Sequence, residues 1–174
     1  MFFDNRMILH LVLVSALVAI ASAQLCIVNP PALPLDVEQF SGAWYAQHRF
    51  GTPFVTPGCF RANYSAAADN GFTCAFEYKD RQSQTQVVPI VFEPTDQNRY
   101  VFSSNGTKIQ VSFLALDYDS YAVFYDCTSN VSFCYVLTRN KTRDDAVVEH
   151  AIAEARKLQP ELPSPSKDLN CEIF

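Results

Sequence analysis

The sequence lacks the features by which nucleic-acid-binding and membrane-surface proteins are usually identified. Its 13 Lys and Arg residues are outnumbered by 18 Asp and Glu, the formal net charge is −5, and the charges are scattered rather than clustered. Proteins that bind nucleic acids or anionic membranes concentrate basic residues on one face or arm. We therefore expect neither nucleic acid nor an anionic membrane surface as a partner.

Common catalytic and metal-binding signatures are also absent. The chain contains no Gly-x-Ser-x-Gly, no glycine-rich phosphate loop and no Cys-x-x-Cys pair, and its three histidines are isolated from one another. Hydrolases, nucleotide-binding proteins and zinc sites normally display one of these patterns. The sequence therefore predicts a protein that is not an enzyme and holds no metal.

Long apolar runs are lacking except at the N-terminus. Met7 to Ala21 is apolar apart from His10 and Ser15, and Ala21-Ser22-Ala23 resembles a signal-peptidase site. This layout, with a run too short for a comfortable membrane span, is typical of a secretory signal peptide. We expect residues 1–23 to be removed and residues 24–174 to form a single domain that is secreted and extracellular, without a membrane span.

The six cysteines and four glycosylation sequons fit an exported protein. An even number of cysteines in such a chain indicates disulfides, although spacing alone does not select the pairing. Sequons of the form Asn-x-Ser/Thr predict N-glycosylation of surface loops. They occur at Asn63, Asn105, Asn130 and Asn140.

The remaining pattern is dominated by short alternating segments that predict strands. The segment from Trp44, the only tryptophan, to Phe50 is followed by seven further candidates, near residues 60–65, 72–79, 86–92, 100–102, 108–116, 121–127 and 131–139. Turn signals such as Asp69-Asn70-Gly71 separate neighbours. Eight short strands with turns between them are typical of an up-and-down antiparallel barrel or a sandwich.

One helix is predicted after the last strand. Val147, Val148, Ala151, Ile152, Ala155 and Leu158 recur at helical spacing, and Pro160 ends the pattern. Thr142-Arg143-Asp144-Asp145 resembles a capping box at its start. We therefore expect an all-β fold, an eight-stranded up-and-down antiparallel β-barrel, with one C-terminal α-helix packed outside.

The order of these motifs resembles the lipocalin family over essentially the whole of residues 24–174. Gly42-Ala43-Trp44 matches the family's Gly-x-Trp, Leu116-Asp117-Tyr118 matches its Thr-Asp-Tyr without the threonine, and Arg139 matches the arginine that ends the last strand. The resemblance implies that Trp44 closes the barrel floor and that Arg139 lies across it in a cation–π contact.

The cysteine placement is similar to the arthropod branch related to bilin-binding proteins and apolipoprotein D. That resemblance implies the disulfides Cys26–Cys127 and Cys59–Cys171, which would clamp both terminal arms to the barrel. Cys74 and Cys134 have no counterpart. Alternation places Cys74 toward the cavity and Cys134 toward the helix, and either an awkward third bridge or two buried free thiols is compatible with the sequence.

The family resemblance implies a carrier that binds a small hydrophobic ligand inside the barrel without any required cofactor. The ligand would be a fatty acid, another lipid or a biliverdin-like pigment. Haem is not expected, because the middle-strand stretch from Gln84 to Phe92 lacks the histidine by which some relatives hold it. Residues on the expected inward face are the candidate ligand contacts: His48, Phe50, Phe72, Phe76, Tyr78, Tyr100, Phe102, Phe113 and Tyr135.

Three alternatives stay open at this point. His48 either bonds a ligand carboxylate or is a core histidine bonded to a neighbouring tyrosine. Cys74 could make the protein a thiol-dependent isomerase on the same barrel, although nothing nearby predicts a lowered pKa for its thiol. Alternatively, the aromatic rings could fill the interior, which would favour a storage or surface-interaction protein with an incidental cavity.

Overall fold

The computed structural model describes residues 31–51, 58–128, 131–169 and 171. The predicted signal peptide, Cys26 and the sequon at Asn130 lie outside these residues. The helices are α1 (Val37–Phe40) and α2 (Asp145–Leu158), and a 3₁₀ turn spans Ala68–Asn70. The strands are β1 (Gly42–Phe50), β2 (Phe60–Ala66), β3 (Phe72–Lys79), β4 (Thr85–Pro94), β5 (Arg99–Ser104), β6 (Thr107–Asp117), β7 (Tyr121–Cys127), β8 (Ser132–Thr138) and β9 (Ser166–Asp168).

The first eight strands form the closed antiparallel barrel that the sequence predicted. Consecutive strands from β2 to β8 pair in order, β8 pairs with β1, and β1 pairs with β2 to close the ring. The short β9 adds to the outer edge of β1 and was not predicted. Neither helix in the described part of the chain has the length and apolar character that a membrane span requires.

Side-chain alternation divides the buried residues between two clusters, one inside the barrel and one under α2. On β8, Phe133, Tyr135 and Leu137 belong to the interior cluster, whereas Cys134 and Val136 pack in the cluster that contains Val148, Ala151 and Ala155 of α2. The outward-facing side chains of β6, β7 and β8, which recur at every second position, therefore pack against the apolar stripe of α2.

The start of α2 differs from the predicted capping box. The Asp144 side chain accepts hydrogen bonds from the backbone N–H groups of Ala146 and Val147, at 2.9 and 3.3 Å. The backbone N–H of Thr142 instead donates to the Asn140 side chain. An aspartate at the N-cap satisfies the first free N–H groups directly, so the helix begins at Asp145.

The floor of the barrel is formed by Trp44 and Arg139, as the motifs predicted. The Arg139 guanidinium lies 3.9 Å from the centroid of the buried Trp44 ring, and Trp44 Nε1 donates to the Phe40 carbonyl. Arg139 also donates to the carbonyl oxygens of Gln39, Phe40, Ala43 and Tyr118. Gly42 has φ +104°, and a Cβ there would lie 3.1 Å from Arg139 Nη1, so this entry into β1 suits glycine.

The second motif supports the same floor from outside. The backbone N–H of Asp36, which caps α1, donates to the Tyr118 hydroxyl at 2.8 Å. The Asp117 carboxylate accepts the backbone N–H of Asp119 and stabilises the turn between β6 and β7. These contacts give both motif residues structural positions at the closed end of the barrel.

The predicted Cys59–Cys171 disulfide is present and ties the C-terminal segment to the start of β2. Cys127 is also disulfide-bonded, and its predicted partner, Cys26, lies outside the described residues. Cys74 and Cys134 are buried free thiols. Since one faces the cavity and the other faces α2, the barrel wall separates them and the alternative of a third bridge is removed.

Candidate ligand cavity

The barrel encloses a cavity of about 450 Å³. This volume is within the range of small-molecule sites. The walls are mainly aromatic and aliphatic, with a few polar groups. The lining residues are Phe60, Tyr64, Phe72, Cys74, Phe76, Tyr78, Val88, Ile90, Phe92, Phe102, Ser104, Asn105, Val111, Phe113, Phe124, Asp126 and Tyr135.

Regular alternation on β3 explains how one strand supplies so much of this wall. Phe72, Cys74, Phe76 and Tyr78 occupy every second position and all line the cavity. Phe72 and Phe76 pack against rings of other strands, with centroid distances of 4.4 Å to Phe92 and to Phe60 respectively. The rings pack against one another around the cavity rather than filling it.

Most of the predicted ligand contacts lie on this wall. Those that line the cavity are Phe72, Phe76, Tyr78, Phe102, Phe113 and Tyr135. Tyr100 faces the interior but lies behind the wall, with its ring 4.7 Å from that of Phe72.

The predicted inward positions of His48 and Phe50 are wrong. A β-bulge between Ala46 and His48 places two consecutive residues, Gln47 and His48, on the outer face. Trp44 and Ala46, which precede the bulge, face the interior as predicted by alternation. Phe50, which follows it, lies instead in the cluster beneath α2. An extra residue in one strand inverts the alternation beyond it, and period-two counting from Trp44 has no means of detecting it.

The hydrogen bonds of His48 go to the outer strand β9 and not to a tyrosine, and its side chain does not face the cavity. Its Nδ1 lies 2.6 Å from Asp168 Oδ1 and its Nε2 lies 2.9 Å from Ser166 Oγ. Arg143 also donates to Asp168, at 2.8 Å. His48 thus fastens the C-terminal segment to β1.

Several cavity residues were not among the predicted contacts. Phe60 and Tyr64 on β2, Phe92 on β4 and Phe124 on β7 all line the cavity, on strands for which no inward residue was predicted. Asp126 follows Phe124 by two residues, so alternation along β7 was the signal that could have identified it. A charged residue near a strand end is more often solvent-exposed, and that expectation concealed it.

Among the described residues that line the cavity, Asp126 is the one carboxylic acid, and none is a Lys, Arg or His. It is 4% exposed, and its Oδ1 is buried without a hydrogen-bond partner among the described residues. Burial raises the pKa of this carboxyl well above its usual range. Tyr64 is also buried, and its burial raises the pKa of its phenol, with further contributions from the nearby Cys74 and Asp126.

The cavity thiol is not activated. Burial raises the pKa of Cys74 to about 12, and its hydrogen bonds to Tyr64 and to the Asn63 backbone offset this only in part. A nucleophilic cysteine needs a lowered pKa at neutral pH. Within the described ranges, no three His, Cys, Asp or Glu side chains are grouped closely enough to hold a metal ion.

Comparison with known proteins agrees with this architecture. Apolipoprotein D from Cavia porcellus is 28% identical over 84% of both chains, and that from Oryctolagus cuniculus is 25% identical over 97% of this chain and 98% of its own. The solved structure of apocrustacyanin C2 superposes with a TM-score of 0.65 at 16% identity, covering 78% of this chain and 79% of its own, and so shows the same fold.

The family match covers most of the barrel. Residues 41–160 match the family described as lipocalin / cytosolic fatty-acid binding protein. This range contains the floor, the cavity wall and α2, so motif, fold and family agree. The chain belongs to the lipocalin / cytosolic fatty-acid binding protein family.

Proposed function

We propose that the protein is a secreted carrier that binds a small hydrophobic ligand inside the barrel, with no required cofactor. The observation that carries this proposal is the aromatic cavity of about 450 Å³ in a member of this family. Apolar burial would drive entry, at about 25 cal/mol for each Å² of apolar surface removed from water. Fatty acids, other lipids and a bilin-type pigment are the ligand classes we propose.

The proposed ligand contacts are the cavity residues, not the outward-facing His48 and Phe50. Phe72, Phe76, Phe102 and Phe113 would bury the apolar body of the ligand, and the hydroxyl groups of Tyr78 and Tyr135 would orient it. An open cavity argues against a barrel filled by its own rings, and the raised pKa of Cys74 argues against thiol catalysis.

Secretion is supported by chemistry as well as by the N-terminal pattern. Disulfides such as Cys59–Cys171 persist in oxidising compartments. The side chains of Asn63, Asn105 and Asn140 are exposed, as glycosylation would require. We therefore propose that residues 1–23 are a signal peptide and that the mature protein is a glycosylated extracellular lipocalin.

Binding can be tested with N-phenyl-1-naphthylamine, a neutral apolar fluorophore. We expect saturable binding to the wild-type protein and at least about tenfold weaker binding to Ile90→Trp, because the larger ring would occupy the cavity. Val91→Trp is the matched control, since Val91 is the next residue of β4 and is 59% exposed on the outer face. Absence of binding by the wild type, or equal loss in both variants, would overturn the carrier proposal.

The natural ligand can be sought in the protein purified from its source. An absorption spectrum followed by solvent extraction and mass spectrometry separates the proposed classes. A visible band with an extracted bilin would identify a pigment carrier, whereas a colourless protein that releases fatty acids would identify a lipid carrier.

A further inference from the structure

The cavity contains a buried acid whose hydrogen bonding is incomplete. Asp126 is more than nine-tenths buried, projects from β7 into the cavity, and keeps Oδ1 unpartnered among the described residues. Buried polar groups in folded proteins are nearly always paired, because an unpaired one has lost its water without replacement. A buried acid oxygen on a cavity wall therefore needs a partner that the described residues do not supply.

Among the described residues, the strand neighbours of Asp126 and the cavity wall offer no positive charge. Val111 lies opposite it on β6 and Phe133 opposite it on β8. Titratable groups that interact with it include Tyr64, which lines the cavity from β2, and Cys134, on the outer side of β8. None of these is basic, and no ion pair involving Asp126 occurs within the described ranges.

Arg49 is the basic residue that the β-bulge turns toward the interior. It pairs in register with Tyr135, whose ring lines the cavity. Arg49 is nevertheless not part of the cavity wall, and its Nε is itself buried without a partner among the described residues. The described wall therefore offers a ligand one carboxyl group and no basic group.

The rest of the wall suits a cation. The faces of aromatic rings carry negative potential and attract ammonium groups, most strongly where water is excluded. Tyr64 and Phe124 lie on the wall with Asp126, and Phe60 and Tyr135 extend the aromatic surface, with their rings 4.9 Å apart. An acid beside aromatic rings combines charge pairing with cation–π contact.

From this juxtaposition we infer that the cavity prefers ligands with a positively charged amine on an apolar body, and that Asp126 pairs with the amine. The inference rests on the proposed carrier function and narrows its ligand class. A ligand carboxylate, as in a fatty acid or a bilin, would find no basic group on the described wall, and its charge would oppose ionisation of Asp126. A cationic amphiphile would supply the missing partner and bury its apolar part against the same rings.

The test uses three probes with one alkyl chain and different head groups. Dodecylamine, dodecanol and dodecanoic acid compete with bound N-phenyl-1-naphthylamine at pH 7.5. For the wild-type protein we expect dodecylamine to displace the fluorophore at a concentration about tenfold lower than dodecanol, because a buried charge pair adds to the apolar term that both share. Dodecanoic acid should be the weakest competitor of the three.

Asp126→Asn removes the charge and keeps the shape of the side chain. In this variant dodecylamine should lose its advantage over dodecanol, because the neutral amide has no charge to pair with the ammonium group. Asp96→Asn, which removes an exposed acid from a turn outside the cavity wall, is the matched control and should retain the wild-type order. Arg49→Gln should also retain it, because Arg49 is not part of the wall.

The possible results separate the inference from the carrier function. If dodecanoic acid competes as well as dodecylamine in the wild-type protein, the amine preference is refuted while the carrier function stands. If the preference survives in Asp126→Asn, the assignment to Asp126 is refuted. If the fluorophore does not bind at all, both fail. The three-probe comparison on the wild-type protein decides the preference even if the variant does not fold.

Discussion

The floor of the barrel and its cavity differ in how their buried polar groups are satisfied. At the floor, the Arg139 guanidinium lies over Trp44 and donates to backbone oxygens contributed by α1, β1 and the turn before β7. In the cavity, Asp126 leaves a buried oxygen without a partner in the described residues. Paired polar groups stabilise a fold, whereas an unpaired buried group costs stability, and such exceptions are expected at functional or strained sites.

Trp44→Ala should produce the largest loss of stability, because it removes the central side chain of the floor. The ring is fully buried, stacks on Phe40 at 5.0 Å and donates to the Phe40 carbonyl. We expect the free energy of unfolding to fall by about 3–5 kcal/mol, measured by urea denaturation. Trp44→Phe keeps much of the apolar volume and should lose less; equal losses in the two variants would contradict the packing argument.

Arg139→Met tests whether the floor depends on the hydrogen bonds of the guanidinium as well as on apolar packing. The substitution leaves the carbonyls of Gln39, Phe40 and Ala43 without this donor and removes the cation from Trp44. We expect a loss of about 1–3 kcal/mol in the same denaturation experiment. Arg139→Lys retains the charge but not the planar set of donors, so it should recover only part of that loss; full recovery would contradict the role of the hydrogen bonds.

Asp126→Asn should raise the free energy of unfolding instead of lowering it, and the size of this gain should depend on pH. Burial raises the pKa of Asp126 in the folded protein above its unfolded value of about 3.9. The contribution of the protonated carboxyl to stability is therefore fully present below that pH and is lost as the pH rises toward the folded pKa. Relative to wild type, the Asn variant should gain up to about 1.4 kcal/mol per pH unit across this window.

Denaturation of both proteins at a series of pH values from acid to neutral measures that gain. A stability difference that does not change with pH would contradict a raised pKa at Asp126. Such a result would mean that Asp126, like Arg139, has a partner in the folded protein in solution.

The sequence predicted the floor better than the cavity for a physical reason. The floor is built from residues that the sequence marks individually, namely a glycine just before the first strand, the one tryptophan of the sequence and an arginine at the end of the last strand. The cavity wall is built by alternation over strands from β2 to β8, so any irregularity changes which residues face inward. The bulge at Gln47 did so for His48 and Phe50.

The strands themselves were predictable because polar turns interrupt a clear period of two. β3 and β7 begin and end where the pattern placed them, and α2 follows the helical stripe. The short strand β9 was missed, since Ser166–Asp168 has no apolar alternation and pairs through its backbone and the His48 contact. Asp126 was missed because its residue type argues for exposure while its position in β7 requires burial.

His48→Ala should have the smallest effect on stability, and it tests whether His48 lies outside the cavity. His48 holds β9 from the outside, and its hydrogen bond is the main reason that the pKa of Asp168 lies below its usual value. Because Asp168 is largely exposed, we expect a stability loss below about 1 kcal/mol. The loss should be present above pH 4 or so and fade in more acidic solution, as Asp168 is protonated in folded and unfolded protein alike.

Binding of N-phenyl-1-naphthylamine by His48→Ala should stay within about twofold of wild type, whereas Phe76→Ala, which removes a ring from the wall, should weaken it by about tenfold. If the His48 variant bound the fluorophore more weakly than the Phe76 variant, His48 would have to contact the ligand. That result would contradict the outward position that the bulge gives His48.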